Sequence, residues 1–200
     1  MNTDALFCAL SPLRIAEFVR SAQRAVCYAG PGIQLDLAQA MVETAGRLGK
    51  EMLAVSLDFD DRVMRMGYGD VGAVTLLLDA GISVNSSPGL RTALIVVDNE
   101  GYIFTPTSLY LEAEPSDDAA SNAIRMSGEQ VAQALARLSP AAKVIAVAQA
   151  KTPEAKQQIE ALTVDIVSAP ITPGEAGRGD DQFERSTTSA LRSRPASAGV

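Results

Sequence analysis

The 200-residue chain contains no histidine and no tryptophan. Without an imidazole it can form no Ser-His-Asp or Cys-His nucleophile system, no phosphohistidine and no histidine-ligated zinc site of its own. Cysteine is nearly absent: Cys8 and Cys27 are the two thiols, and they lack a metal-type spacing. They read as reduced, buried thiols of a cytosolic protein. Aromatic residues are 4% of the chain, so the core must be built from Ala, Val, Leu and Ile. Basic residues number 17 against 24 acidic ones, a formal charge of −7. That balance argues against a broad nucleic-acid surface, which needs clustered Lys and Arg. No apolar run approaches the roughly 18 residues of a membrane helix. Residues 1–10 carry Asp4 and no basic stretch, so no signal peptide is expected. These absences imply a cytoplasmic protein without a membrane span.

A hydrophobic share of 47% is enough for a packed core, and the length suits one domain with an appendage or two small domains. Ser11-Pro12 is a helix start, followed by Ile15, Phe18, Val19 and Ala22 at helical spacing. Residues 25–29 read as a buried strand broken by Gly30-Pro31-Gly32. A second helix carries Ile33, Leu37, Met41, Ala45 and Leu48 on one stripe and closes at Gly49. Residues 52–57 form a second strand, Asp70 caps a helix over 71–80, and residues 82–85 form a third strand. Residues 90–97 are the most strand-like run; Asp98-Asn99-Glu100-Gly101 turns the chain and 102–105 returns as a hairpin partner. Ser127-Gly128-Glu129-Gln130 opens a helix to about Leu138 through a capping box. Residues 141–150 fit helix or strand, another helix starts at Thr152-Pro153, and 163–168 suggest a strand. This order implies an α/β layer fold with a mostly parallel sheet and flanking helices. The expected organisation is an α/β domain over 1–125, a helical/β extension packed on it over 126–169, and a disordered tail over 170–200.

Residues 91–98, Arg91-Thr92-Ala93-Leu94-Ile95-Val96-Val97-Asp98, resemble the motif strand of the phospholipase D superfamily, His-x-Lys-x4-Asp. Arg91 stands at the His position, Ala93 at the Lys position and Asp98 at the Asp position. Thr105-Pro106-Thr107-Ser108 falls where Gly-Ser-x-Asn follows in that family. The preceding phrase Leu77-Leu78-Asp79-Ala80-Gly81-Ile82 is also similar, and the resemblance covers roughly residues 12–125. It implies one half of a two-half architecture, and so a homodimer or a partner protein supplying the other half. The departures remove the family's chemistry. A guanidinium stays protonated and is no nucleophile, and Ala93 carries no charge for phosphoryl oxygens. The reading that follows is a catalytically inactive module for binding, assembly or regulation. Arg91, Asp98, Thr105 and Ser108 would form a relic anion site for a phosphate-containing ligand. Ordinary structural roles for Arg91 and Asp98 carry more weight than that site, Asp98 as a hairpin residue with local hydrogen bonds.

The alternative is a metal-assisted phosphodiesterase or nuclease-type hydrolase using Asp58, Asp60 and Asp61. Carboxylates at the carboxyl end of a parallel strand lie where α/β sites form, and oxygen ligands suit Mg²⁺. A solvated loop start is the simpler reading of the three. Gly30-Pro31-Gly32 lacks the full Gly-x-Gly-x-x-Gly pattern and reads as a tight turn. No cofactor is expected. The stretch Met64, Met66, Gly67, Tyr68, Gly69 is a candidate partner lip, with plain packing the simpler account.

Overall fold

The computed structural model describes residues 5–106 and 121–172. Strand β1 (Phe7–Cys8) leads to helix α1 (Pro12–Arg20), whose first turn is closed by the Ser11 hydroxyl accepting from the Arg14 N–H. Strand β2 (Val26–Gly30) is buried along its whole length. Helix α2 (Leu35–Leu48) ends where Gly49 takes φ +96°, a left-handed value that glycine tolerates. A 3₁₀ turn (Lys50–Met52) leads into β3 (Leu53–Leu57), also buried throughout. Helices α3 (Asp61–Arg65) and α4 (Val71–Asp79) start at Asp60 and Asp70, whose carboxylates accept from backbone N–H groups two residues on. Strand β4 (Val84–Ser86), the hairpin β5 (Ala93–Val97) and β6 (Glu100–Phe104), and β7 (Ala123–Arg125) follow. Helix α5 (Gly128–Leu138) carries the capping box read from Ser127 and Gln130. Helix α6 (Pro140–Gln149) settles the ambiguous 141–150 stretch, because Ser139 caps it and Pro140 occupies its first position. Helix α7 (Pro153–Ala161) and a two-residue β8 (Ala169–Pro170) complete the described chain.

The strands form one mixed sheet in the order β1-β7-β6-β5-β2-β3-β4-β8. The expectation of a mostly parallel sheet is therefore corrected. Among the described residues only β2–β3 and β3–β4 pair parallel, and the other five pairings are antiparallel. The reason lies in the connections. Parallel neighbours need a crossover long enough for a helix, and α2 and then α3–α4 supply these. No helix separates β4 from β5. So β5 starts at the edge where β4 ends and runs back beside β2, and the tight turn at Asp98 sends β6 antiparallel again.

Helices pack on both faces of the central strands. On one face β2, β3 and β5 present Val26, Tyr28, Val55, Ile95 and Val97 to α1, α2 and α4, around Val19, Met41 and Leu77. On the other, Cys27, Ala29, Ala54, Leu94 and Val96 meet Val131, Leu135, Ala142, Ile145 and Ile159 of α5, α6 and α7. Strands buried on both faces explain the near-continuous apolar runs at 53–57 and 93–97. The chain stays with the sheet through β8, and Ile171 beyond it is buried, donating its N–H to the Val84 carbonyl. Among the described residues no helix is long and apolar enough to cross a membrane.

Candidate functional site at the carboxyl edge of the parallel strands

Strands β2, β3 and β4 end at one edge, and β5 begins there. The backbone N–H of Asp58, just past β3, donates to the Gly30 carbonyl at 3.1 Å and keeps the chain in line with the sheet. Its carboxylate is 3% exposed. Oδ1 accepts from the Gly89 N–H at 2.7 Å, and Oδ2 forms an ion pair with Nη1 of Arg91. The loop that brings Arg91 back over β3 is itself pinned. The Ser87 N–H donates to the Leu57 carbonyl at 2.6 Å, and the Leu90 N–H to the Ser87 carbonyl at 3.2 Å. Gly89 supplies the left-handed turn at φ +83°. Two residues singled out in the sequence as separate candidates, one in each constellation, are thus one contact. The Arg91 side chain is 61% exposed, so it remains open to solvent while its charge is offset by Asp58.

Beneath this pair lies a small polar block. Ser56 and Asn85 are direct neighbours across β3–β4, and Asp58 and Ser87 continue the same ladder. Alternation puts all four side chains toward the α5–α7 side. The hydroxyls of Ser56 and Ser87 and Oδ2 of Asp58 are buried without a hydrogen-bond partner. The partner of Oδ2 is the Arg91 guanidinium, as an ion pair.

The other sequence candidates lie elsewhere. Asp98 is at the far end of β5, roughly 23 Å from Arg91 at ~3.3 Å per strand residue. Its carboxylate accepts from the N–H groups of Gln23 at 3.0 Å, Arg24 at 2.7 Å and Ala25 at 3.0 Å. Its own N–H donates to the Ala25 carbonyl at 2.9 Å. It holds φ +55°, a value that Asp tolerates. Its hydrogen bonds join the hairpin to the start of β2 rather than closing locally. Ala93 is fully buried, and a Cβ on Gly30 would lie 3.5 Å from its methyl. Thr105 is exposed and ties its N–H to the Asn122 carbonyl at 2.9 Å; Ser108 lies outside the described residues. Asp60 spends its carboxylate on the α3 N-terminus, and Asp61 is the first residue of that helix. Among the described residues no three carboxylates or thiols converge as a metal-ligand set.

Gly30-Pro31-Gly32 is explained by packing. A Cβ on Gly32 would sit 2.6 Å from the Tyr68 carbonyl oxygen, so only glycine lets the 68–69 backbone approach. The Asp70 N–H donates to the Ile33 carbonyl at 2.9 Å, and Gln34 Nε2 to the Gly67 carbonyl at 3.3 Å. The segment 67–70 therefore lies against the start of α2, where an anion reading would need open N–H groups. Of the methionine stretch, Met64 is buried in the core and Met66 is exposed.

Burial perturbs three titratable groups away from this edge. Burial pushes the Cys27 thiol up to about 12, and raises Tyr28 well above its ordinary value while its hydroxyl donates to the Gly32 carbonyl at 2.7 Å. Burial also raises half-buried Cys8, with Arg125 and Arg14 pulling the other way. Both cysteines are free.

One feature escaped sequence reasoning. On the α5 side an open apolar groove of about 340 Å³ has Ala29, Leu94 and Ile103 as its floor and Ala134 and Leu138 as a wall. Leu90 and Thr92, which flank Arg91, form its end, and the Arg137–Asp165 ion pair at 3.2 Å sits on its rim. Alternation alone places Leu94 and Ile103 on their strand faces. Their meeting depends on β5–β6 register and on where α5 stops.

Fold and site together define an α/β protein whose described residues form a mixed eight-stranded sheet with helices on both faces of its central strands, and whose carboxyl edge is closed by a buried-aspartate–arginine pair. No family model, no curated protein and no solved structure matches the chain.

Proposed function

We infer that the chain is a non-catalytic α/β module, similar to a phospholipase D half-domain, that works by binding or assembly rather than by turnover. The supporting observation is the Arg91–Asp58 pair. The position corresponding to the family's nucleophile carries a guanidinium, and its charge is engaged by a carboxylate from the neighbouring strand. The neighbouring lysine position is a buried alanine, and the chain has no imidazole to act as acid or base. Arg91 keeps an exposed face and can accept a phosphate or carboxylate group. Asp58 at its back lowers the affinity for such an anion, so this contact is a weak one.

The test is hydrolysis of bis-p-nitrophenyl phosphate, phosphatidylcholine vesicles and plasmid DNA, each with EDTA and with added Mg²⁺ or Mn²⁺. The expected result is no release above buffer in any arm. Turnover by the wild-type chain that disappears in Arg91→Ala or Asp58→Asn would overturn the reading.

A further inference from the structure

One row of side chains crosses five strands in register on the α5 side, from Ala29 on β2 through Leu94, Ile103 and Ile124 to Phe7 on β1. Exposure rises along it from 1% at Ala29 and 8% at Leu94 to 42% at Ile103 and 60% at Phe7. At Ile103 the row forms the floor of the 340 Å³ groove, and there other elements wall it. Helix α5 stops at Leu138, because Ser139 is extended and Pro140 starts α6. The chain returning from α7 bounds another side. The Asp165 N–H donates to the Arg137 carbonyl at 2.8 Å, and Ile166 lines the groove. Ala29 and Ala134 are small, which leaves the space between floor and wall open. The polar side chains of the lining are Thr92, Arg137 and Asp165. Nη1 of Arg137 donates to both oxygens of Asp165 at 3.2 Å, and the two side chains are 43% and 54% exposed. Among the described residues the Nε–Nη2 edge of this guanidinium has no partner.

We propose that this groove binds a small amphipathic carboxylate, with its aliphatic body on the Ala29, Leu94 and Ile103 floor and its carboxylate on Arg137. The inference rests on the binding reading above and names a ligand class for the surface beside the Arg91 loop. Size, polarity and charge each select that class. At ~30 Å³ per heavy atom of a liquid, 340 Å³ holds about eleven atoms, an acid of about nine carbons. This is the lower end of the range for small-molecule sites. The aliphatic floor and the wall of Ala134 and Leu138 offer no side-chain hydrogen bond, so the body of the ligand is apolar. The open guanidinium edge matches a carboxylate with two parallel hydrogen bonds and keeps its charge at every physiological pH. Asp165 stays on Nη1 and repels a second negative charge, which favours a monoanion over a phosphate dianion. An exposed Arg–Asp pair is worth little, so sharing the guanidinium with a ligand costs the fold little. The floor lies on paired strands of the sheet, so the site is formed before the ligand arrives.

The experiment titrates the full 200-residue chain with octanoate, its shorter and longer homologues, and octanol, read by calorimetry and by amide NMR shifts. Vesicles of phosphatidylglycerol form a separate arm, and circular dichroism checks that each variant folds. Octanoate is expected to bind with a Kd of roughly 0.1–1 mM and to shift the amides of Leu94, Ile103, Ala134 and Leu138. Affinity should rise about two- to fourfold per methylene up to about nine carbons and then level off as the groove fills. Octanol should bind about fivefold more weakly or worse. Arg137→Met should bring octanoate down to the octanol level and leave octanol unchanged. Asp165→Asn removes the competing carboxylate, so it should tighten octanoate about threefold and leave octanol unchanged. Ala134→Phe should close the groove to both. Equal binding of octanoate and octanol, affinity that keeps rising with chain length, shifts confined to Ile124 and Phe7, binding to the vesicles alone, or an Asp165→Asn variant that binds no tighter would each overturn the proposal. Hydrolysis is assayed separately. A chain that neither binds octanoate nor hydrolyses the substrates above loses this site and keeps the non-catalytic reading.

Discussion

Replacing Asp98 by alanine separates its structural role from any part in a site. The carboxylate receives three backbone N–H groups, from Gln23, Arg24 and Ala25, at 2.7–3.0 Å. Gln23 and Arg24 are exposed, so water replaces most of what those two lose. Ala25 is buried, and its stranded donor costs about 1–2 kcal/mol. Alanine at the left-handed φ of +55° adds about 1 kcal/mol. The expected loss is about 2–3 kcal/mol. Asp98→Asn keeps an acceptor oxygen and tolerates the backbone, so about 1 kcal/mol is expected there. Urea unfolding read by circular dichroism measures both, with an unchanged slope and a lowered midpoint. An alanine variant within about 0.5 kcal/mol of wild type, or an asparagine variant as damaged as the alanine one, would refute the reasoning.

Gly32→Ala forces a methyl to within 2.6 Å of the Tyr68 carbonyl. It should cost about 2–3 kcal/mol in the same assay and disturb the 67–70 segment, read as faster proteolysis there. Cys27 has a pKa raised by burial from 9.0 to about 12, so the folded state holds its proton where the unfolded state has lost it. Its contribution is intact below pH 9.0 and declines as pH rises toward 12. Stability should therefore fall through that alkaline window, and fall less steeply in Cys27→Ala. A thiol reagent at mildly alkaline pH should label Cys8 well before Cys27 in the native protein.

Local chemistry made much of the fold legible. Ser11-Pro12, Asp70 and the Ser127–Gln130 box start helices where the sequence places them, because a cap is a contact between residues two or three apart. Strands of two or three residues, β1 and β7, have no periodicity to read, and the five-residue α3 is too short to show one. The suggested strand at 163–168 is not one, and sheet pairing resumes only at β8. Strand direction has no local signature, because it depends on which edge a helix-free connection leaves from. At the site, Arg91 and Asp58 were each visible as charged residues at strand ends. Their contact depends on a β4–β5 loop folding over β3, which no local pattern encodes. The groove and the graded apolar row needed the register of five strands.

The most direct measurement of the central claim is a double-mutant cycle on Arg91 and Asp58, read by urea unfolding of wild type, Arg91→Ala, Asp58→Ala and the double variant. Asp58 is buried and Arg91 is largely exposed, so a coupling of about 1–2 kcal/mol is expected. Single variants whose effects simply add, within about 0.3 kcal/mol, would show that the pair does not close this edge in solution and would contradict the account.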